Sequence, residues 1–82
     1  MKFEVIVQNS EKIIIDKIEV DSRSCISALL EAEKVFLSKN TELELLDSGM
    51  FIGSYGRDLT VENKNNSGEE YYQLKLIEPS LK

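Results

Sequence analysis

The stretch that decides the fold is residues 21–40, which read DSRSCISALLEAEKVFLSKN. Several residues between Asp21 and Ser24 can cap a helix start, and no Gly or Pro interrupts the stretch before Asn40, which tolerates a left-handed cap. Apolar residues follow at helical spacing along one stripe, made of Cys25, Ala28, Leu29, Ala32 and Phe36. The pattern predicts one amphipathic helix, whose alanines allow it to pack close to another layer.

A second apolar row lies beside this stripe and consists of Ile26, Leu30 and Leu37. With Glu33 between the two rows, the apolar arc exceeds half of the helix circumference. Two explanations remain open, because the row can be covered by the polar connection 63–68 or by a partner. We therefore count it among the candidate partner contacts.

The residues before the helix show the period of two that is typical of strands. Lys2–Gln8 alternates between apolar and polar residues with Ile6 as the exception, 9–12 is a polar turn, and Ile13–Val20 returns. The apolar positions of the returning strand change phase near Asp16. A strict period of two can shift only at an irregularity, so we expect a β-bulge there, with burial of both strand faces as the alternative.

The residues after the helix return to strand patterns. Strands are predicted at 42–45, 50–52, 59–62 and 70–77, with turns at 47–49 and 53–56 and an exposed loop at 63–68. In the last strand Tyr72, Leu74 and Leu76 are expected on the core side. The predicted fold class is α+β, a single helix packed on one face of an antiparallel sheet, in the order β-β-α-β-β-β with room for one further strand. We expect one domain over 1–82, with 79–82 frayed.

The charge distribution indicates the kind of partner. The net charge is −5, and residues 41–62 hold five acids against one base, Arg57. The acids are Glu42, Glu44, Asp47, Asp58 and Glu62. A direct nucleic-acid binder needs a basic footprint that displaces counterions from phosphates, and the sequence shows none. A protein partner with a basic surface is therefore expected, and direct binding of nucleic acid is not.

Groups that could carry catalysis are scarce. The chain has no histidine, its one cysteine, Cys25, falls in the helix stripe as a small core residue, and its glycines lack a phosphate-binding spacing. Carboxylate pairs occur at Glu42/Glu44 and Glu69/Glu70. The spacing of Glu42 and Glu44 on one strand face can serve a sugar-cleaving or cation site, but a solvated strand face explains it better. We expect no enzyme, no cofactor and no metal.

The lone cysteine, the lack of a secretion signal and the lack of a long apolar run predict a cytoplasmic protein away from membranes. If the chain is phage-encoded, this is the cytoplasm of the host cell.

Small acidic domains without catalytic groups occur among phage and mobile-element proteins, including anti-CRISPR and other anti-defence inhibitors. Size and charge favour a non-catalytic protein-binding module of this type, which blocks a basic, nucleic-acid-binding surface of a host protein. The alternative is a structural or assembly subunit, for example a homodimer, and a small-ligand module is less favoured. The predicted partner contacts are Glu42, Glu44, Asp47, Met50, Tyr55, Arg57, Asp58, Ile26, Leu30 and Leu37.

Overall fold

The computed structural model describes residues 1–52 and 55–77, without the side chains of Ser48 and 50–52. Its elements are β1 (Lys2–Asn9), β2 (Ile14–Asp21), α1 (Cys25–Lys39), β3 (Leu43–Ile52), β4 (Gly56–Asn63) and β5 (Gly68–Ile77). The five strands form one sheet in the order β2-β1-β5-β4-β3, and every neighbouring pair is antiparallel. The α+β prediction of one helix on one face of an antiparallel sheet is confirmed.

The strand order follows from short connections and one crossover. Connections of three or four residues join β1 to β2, β3 to β4 and β4 to β5, which makes each of these pairs antiparallel neighbours. The helix carries the chain from β2 at one edge of the sheet to β3 at the other edge. β5 then pairs with β1 and joins the two halves.

The helix begins and ends where its caps predict, although Asn40 has a φ of −122° and so does not adopt the left-handed conformation. Ser24 has extended backbone angles, and its Oγ accepts a hydrogen bond from the Ser27 N–H at 3.1 Å. At the other end the Phe36 carbonyl accepts hydrogen bonds from both the side chain and the backbone N–H of Asn40, at 2.8 Å and 3.2 Å. These local bonds explain why the helical pattern stops at Lys39.

The core lies between α1 and the sheet. Ala28, Leu29, Ala32 and Phe36 are buried as the stripe predicts, and Cys25 is partly buried against them. Their partners on the sheet are apolar residues from all five strands, namely Phe3, Val5, Val7, Ile18, Val20, Leu43, Leu59, Val61, Leu74 and Leu76. Tyr72 packs at the border of this core with its ring edge-on to Phe36, at 5.3 Å between centroids.

The bulge predicted near Asp16 is confirmed. Val7 pairs with Asp16 and Gln8 pairs with Ile14, so Ile15 has no partner on β1. The unpaired Ile15 explains the change of phase in the apolar pattern, because the residues before it and the residues after it pair with β1 in two different registers. Ile13, Ile14 and Ile15 remain exposed around this point.

The turn predicted at 47–49 is wrong, because β3 continues through it from Leu43 to Ile52. Two shifts in the pairing with β4 absorb the polar residues, one between Leu45 and Asp47 and one between Ser48 and Phe51. A Cβ atom at Gly49 would lie 3.1 Å from the Asp58 Cβ, so the glycine permits a close approach of the strands.

The remaining strand boundaries also move outward from their predicted positions. β4 and β5 extend to Asn63 and Gly68, so the predicted loop shrinks to an exposed turn at 64–67. Residues 53–54 of the second predicted turn, and the predicted frayed end at 79–82, lie outside the described residues.

Candidate partner-binding face

The two faces of the sheet differ in what covers them. Residues that oppose each other in an antiparallel ladder point to the same face, so the pairing assigns every strand residue to one side. The helix covers the face that carries the core. We call the opposite side the open face, and on β4 it carries Asp58, Thr60 and Glu62, since Leu59 and Val61 are buried beneath the helix.

Three glutamates stand side by side across the open face. Glu44 of β3 opposes Glu62 of β4, and Glu62 opposes Glu69 of β5. All three are exposed, and among the described residues none of them has an ion-pair partner. Like charges that oppose each other directly destabilise a sheet, by roughly 0.2–1 kcal/mol for each pair. We call Glu44, Glu62 and Glu69 the acidic row.

The next positions on the open face place a tyrosine beside this row. Asp47 opposes Thr60, and Thr60 opposes Tyr71, whose side chain is 55% exposed. Asp58 lies one step further along and accepts a hydrogen bond from the Gln73 side-chain amide at 3.1 Å. On β4 and β5 the charged neighbours of Tyr71 are all carboxylates, and Lys12, from the connection after β1, lines a cavity together with it.

The other half of the open face has a mixed charge. Glu4 opposes Glu19 there, but the positions that flank this pair hold Lys2, Lys17 and Lys75. Interspersed bases compensate the like-charge contact of this half. Among the described ladder positions next to the acidic row none holds a base, and Lys64 follows Glu62 only in the turn after β4. The acids of the open face are therefore concentrated on β3, β4 and the beginning of β5.

Two further acids belong to the same end of the sheet, Glu70 on the helix side of β5 and Glu42 just before β3. Glu70 accepts a hydrogen bond from the Tyr72 hydroxyl at 2.7 Å and a second one from the Asn63 amide at 3.2 Å. Burial raises the pKa of Tyr72 to about 12, and the bond to Glu70 and the negative charges of Glu70 and Glu42 act in the same direction. This end of the sheet thus combines five acids from three segments.

Arg57 faces away from the acidic row. Its guanidinium Nε donates to Glu33 of the helix at 2.6 Å, and the two side chains are only 11% and 13% exposed. A second guanidinium nitrogen approaches the Gly49 carbonyl at 3.4 Å. The base of the segment 41–62 therefore neutralises a helix carboxylate on the covered face, and the segment shows its acids alone on the open face.

The second apolar row of the helix is only partly covered. Leu37 packs against the core, whereas Ile26 and Leu30 are 46% and 38% exposed. Glu33 lies beside this row, between it and the core stripe, and reaches Arg57 on β4, so the row faces the β3–β4 side of the helix. It lies on the opposite face of the sheet from the acidic row, and the two candidate surfaces are separate.

The remaining predicted contacts scatter. Tyr55 is exposed in the turn before β4, and the side chain of Met50 lies outside the described residues. Conversely, Glu69 and Glu70 are not among the predicted partner contacts, and the sequence indicates Tyr71 only as a residue type common at interfaces. The doublet at 69–70 was the available signal, but only the register of β5 against β4 shows that Glu69 extends the row.

Two adjoining cavities open where β1 turns away from β5. The smaller, of about 270 Å³, is lined by Asn9, Ser10, Glu69, Glu70, Tyr71 and Tyr72. The larger, of about 340 Å³, shares Asn9, Ser10 and the two tyrosines and continues past Lys12 to Asp58 and Thr60. Both therefore border the acidic part of the open face.

The described part of the chain offers no group of three or more acidic or cysteine side chains arranged to hold a metal ion. In the same residues, α1 is too short and too polar for a membrane-crossing helix. Comparison with protein-family models, with curated proteins and with solved structures finds no match to this chain. The site must therefore be interpreted from its own geometry and charge.

Proposed function

We propose that this chain is a non-catalytic protein-binding module whose open face docks onto a basic surface of a partner protein. The observation that carries the proposal is the acidic row, in which Glu44, Glu62 and Glu69 oppose one another without a base. A basic partner supplies the missing counter-charge and turns this local repulsion into attraction.

The energetic balance supports a role in binding. Two directly opposed like-charge contacts cost the free fold roughly 0.4–2 kcal/mol in total, a noticeable fraction of the stability of a small domain. Glutamine at any of the three positions would remove part of this cost without a change in shape. A feature of an exposed surface that lowers the stability of the fold is typical of a functional site.

The chemistry of the open face also indicates what the basic surface of the partner binds when this chain is absent. A row of carboxylates with a neighbouring aromatic ring is complementary to arginine and lysine side chains, and these are the groups that proteins use to bind phosphates. A module that occupies such a surface excludes nucleic acid from it. We propose on this basis an inhibitor of the anti-CRISPR or anti-defence type.

The proposal is tested with a fluorescent twelve-residue arginine-rich peptide and with proteins captured from bacterial lysate. The triple variant E44Q/E62Q/E69Q should bind the peptide at least tenfold more weakly than the wild-type chain, and wild-type affinity should fall steeply as salt increases. Among captured proteins, wild-type chain should compete with DNA or RNA for binding, and the triple variant should not.

The matched control is E4Q/E11Q/E19Q, which changes the net charge by the same amount on the β1–β2 side of the molecule. Affinity of this control should remain within about twofold of wild type, since long-range charge effects are screened at physiological salt. Equal weakening by both triple variants, or binding that does not depend on salt, would contradict a local acidic docking face.

A second candidate function, an assembly subunit, is favoured by the exposure of Ile26 and Leu30 on the flank of the helix. Such a subunit would bury these side chains against a second copy. Light scattering at several hundred micromolar should then give a dimeric mass that Leu30→Glu converts to a monomer. A monomeric wild-type chain at that concentration would exclude this candidate.

A further inference from the structure

β5 is longer than the part of it that β1 covers. Pairing between the two strands runs from Glu4 opposite Ile77 to Asn9 opposite Tyr72, whereas β5 begins at Gly68. Residues 68–71 therefore have β4 on one side and, among the residues that the structure describes, no strand on the other. We call this gap beside residues 68–71 the notch.

Backbone polar groups of β5 point into the notch. The Leu76 N–H donates to the Tyr55 carbonyl at 2.7 Å, which lies on the β4 side, and in an antiparallel strand the polar groups of successive residues point to alternate sides. The N–H and C=O groups of Glu69 and Tyr71 consequently face the other way. They are directed toward the cavity of about 270 Å³ beside Asn9 and Ser10.

The turn that follows β1 keeps the notch open. Asn9 accepts hydrogen bonds through its side-chain oxygen from the N–H groups of Glu11 and Ile13, and Lys12 adopts a φ of 65°. These bonds direct the chain into β2 and away from β5. A short strand edge thus remains exposed in the middle of the sheet, and an edge of this kind accepts an added strand.

The side chains beside this edge specify the charge of what can bind there. Glu69 and Tyr71 project onto the open face, and Glu62 and Asp58 lie diagonally across β4 from the exposed ring of Tyr71. A cation above that ring is attracted by the ring and by the surrounding carboxylates together. Lys12 lines the larger cavity and is the base nearest to this edge among its lining residues.

We propose that the notch receives a short extended segment of the partner protein, which adds to β5 as a strand and places an arginine or lysine between Tyr71 and the acidic row. This inference rests on the proposed function and names the form in which the partner presents its basic residues. The free edge of four residues is about 13 Å long, so it holds about four residues of such a segment. Alternate residues of the segment point to the open face, and these are the basic ones.

The test uses an acetylated and amidated hexapeptide of alternating arginine and valine as the probe for the notch. Its control carries N-methyl groups on alternate peptide bonds, which removes the donors for strand pairing and leaves the charge unchanged. Binding is followed by amide chemical shifts of the full 82-residue chain. We expect the largest shifts at Ser10, Glu69 and Tyr71, and at least tenfold weaker binding of the methylated peptide.

Variants of the chain provide an independent test. Ser10→Trp should fill the notch and reduce the affinity for the unmethylated hexapeptide at least fivefold, whereas Lys34→Trp on the exposed side of α1 should leave it unchanged. Lys12→Gly should raise the affinity, because it removes a positive charge from the rim, and glycine accepts a φ of 65° without strain. Each variant is first checked for wild-type amide spectra away from the substitution.

The outcomes separate this inference from the proposed function. Equal binding of the two hexapeptides, with shifts confined to the acidic row, would overturn strand addition at the notch and leave the acidic docking face in place. Failure of both hexapeptides and of the arginine-rich peptide to bind would overturn both proposals. Shifts centred on the notch together with sensitivity to N-methylation would support strand addition.

Discussion

The two faces of this sheet are built from the same five strands but differ in whether their carboxylates have partners. On the covered face Glu33 has Arg57, and Glu70 has the Tyr72 hydroxyl and the Asn63 amide. On the open face Glu44, Glu62 and Glu69 oppose one another with no base between them. On the covered face an unpaired charge is costly because it is buried, and the carboxylates there have partners. On the open face water solvates the charges, so carboxylates that repel one another can lie side by side.

The difference between the two faces shows how a chain of modest net charge presents an acidic surface on one side. The strand pleat sends alternate residues to opposite faces, so Arg57 goes to the helix side while Asp58 and Glu62 go to the open side. The single base of the segment is thereby removed from the surface that its acids form. Each of the following substitutions disturbs one face and leaves the other intact.

The largest effect is expected from Arg57→Met. It leaves the Glu33 carboxylate without its partner at a site where both side chains are nearly covered, and should lower the free energy of unfolding by about 2–4 kcal/mol. Urea denaturation measures the loss. The double variant Glu33→Leu/Arg57→Met should recover most of it, since two apolar side chains then pack together, and a double variant as unstable as Arg57→Met would contradict this account.

An opposite and smaller effect is expected on the open face. Glu62→Gln removes the central charge of the acidic row and with it two like-charge contacts, so it should raise the free energy of unfolding by about 0.5–1 kcal/mol. The control is Glu31→Gln on the exposed side of α1, which should change little. A loss of stability on Glu62→Gln would show that the row is not repulsive.

The smallest effect concerns Tyr72. Because its pKa is raised to about 12 in the folded chain from a usual value of 10, the unfolded chain loses this proton first, and the folded state loses stability as pH rises from about 10 to 12. Tyr72→Phe removes this contribution. From pH 9 to pH 11 the denaturation midpoint should therefore fall less for Tyr72→Phe than for the wild-type chain. An equal fall in both would refute the raised pKa of Tyr72.

The elements with a clear period could be predicted from the sequence. The helix of residues 25–39 has caps at both ends and an uninterrupted stripe, and the phase change near Asp16 requires a bulge wherever β2 lies in the sheet. The boundary that failed was the turn at 47–49. Polar residues and a glycine favour a turn in isolation, but pairing along β4 keeps this segment extended with bulges.

The candidate site could be predicted only in part. The sequence shows that residues 41–62 are acidic, and four of these acids (Glu44, Asp47, Asp58 and Glu62) lie on the open face. It could not show that Arg57 leaves that surface for Glu33, because the pair joins residues 24 positions apart through the packing of helix on sheet. The notch has no signal in the sequence, since it depends on where two distant strands stop pairing.

The sequence by itself determined the fold class, the helix, its core stripe and the local excess of acids, because each of these depends on spacing and composition within a short segment. The tertiary structure alone decided that β5 lies beside both β1 and β4. That placement joins Glu69 to Glu44 and Glu62, and leaves the edge at residues 68–71 free. The physical reason is that strand register is set by contacts between residues far apart in the chain.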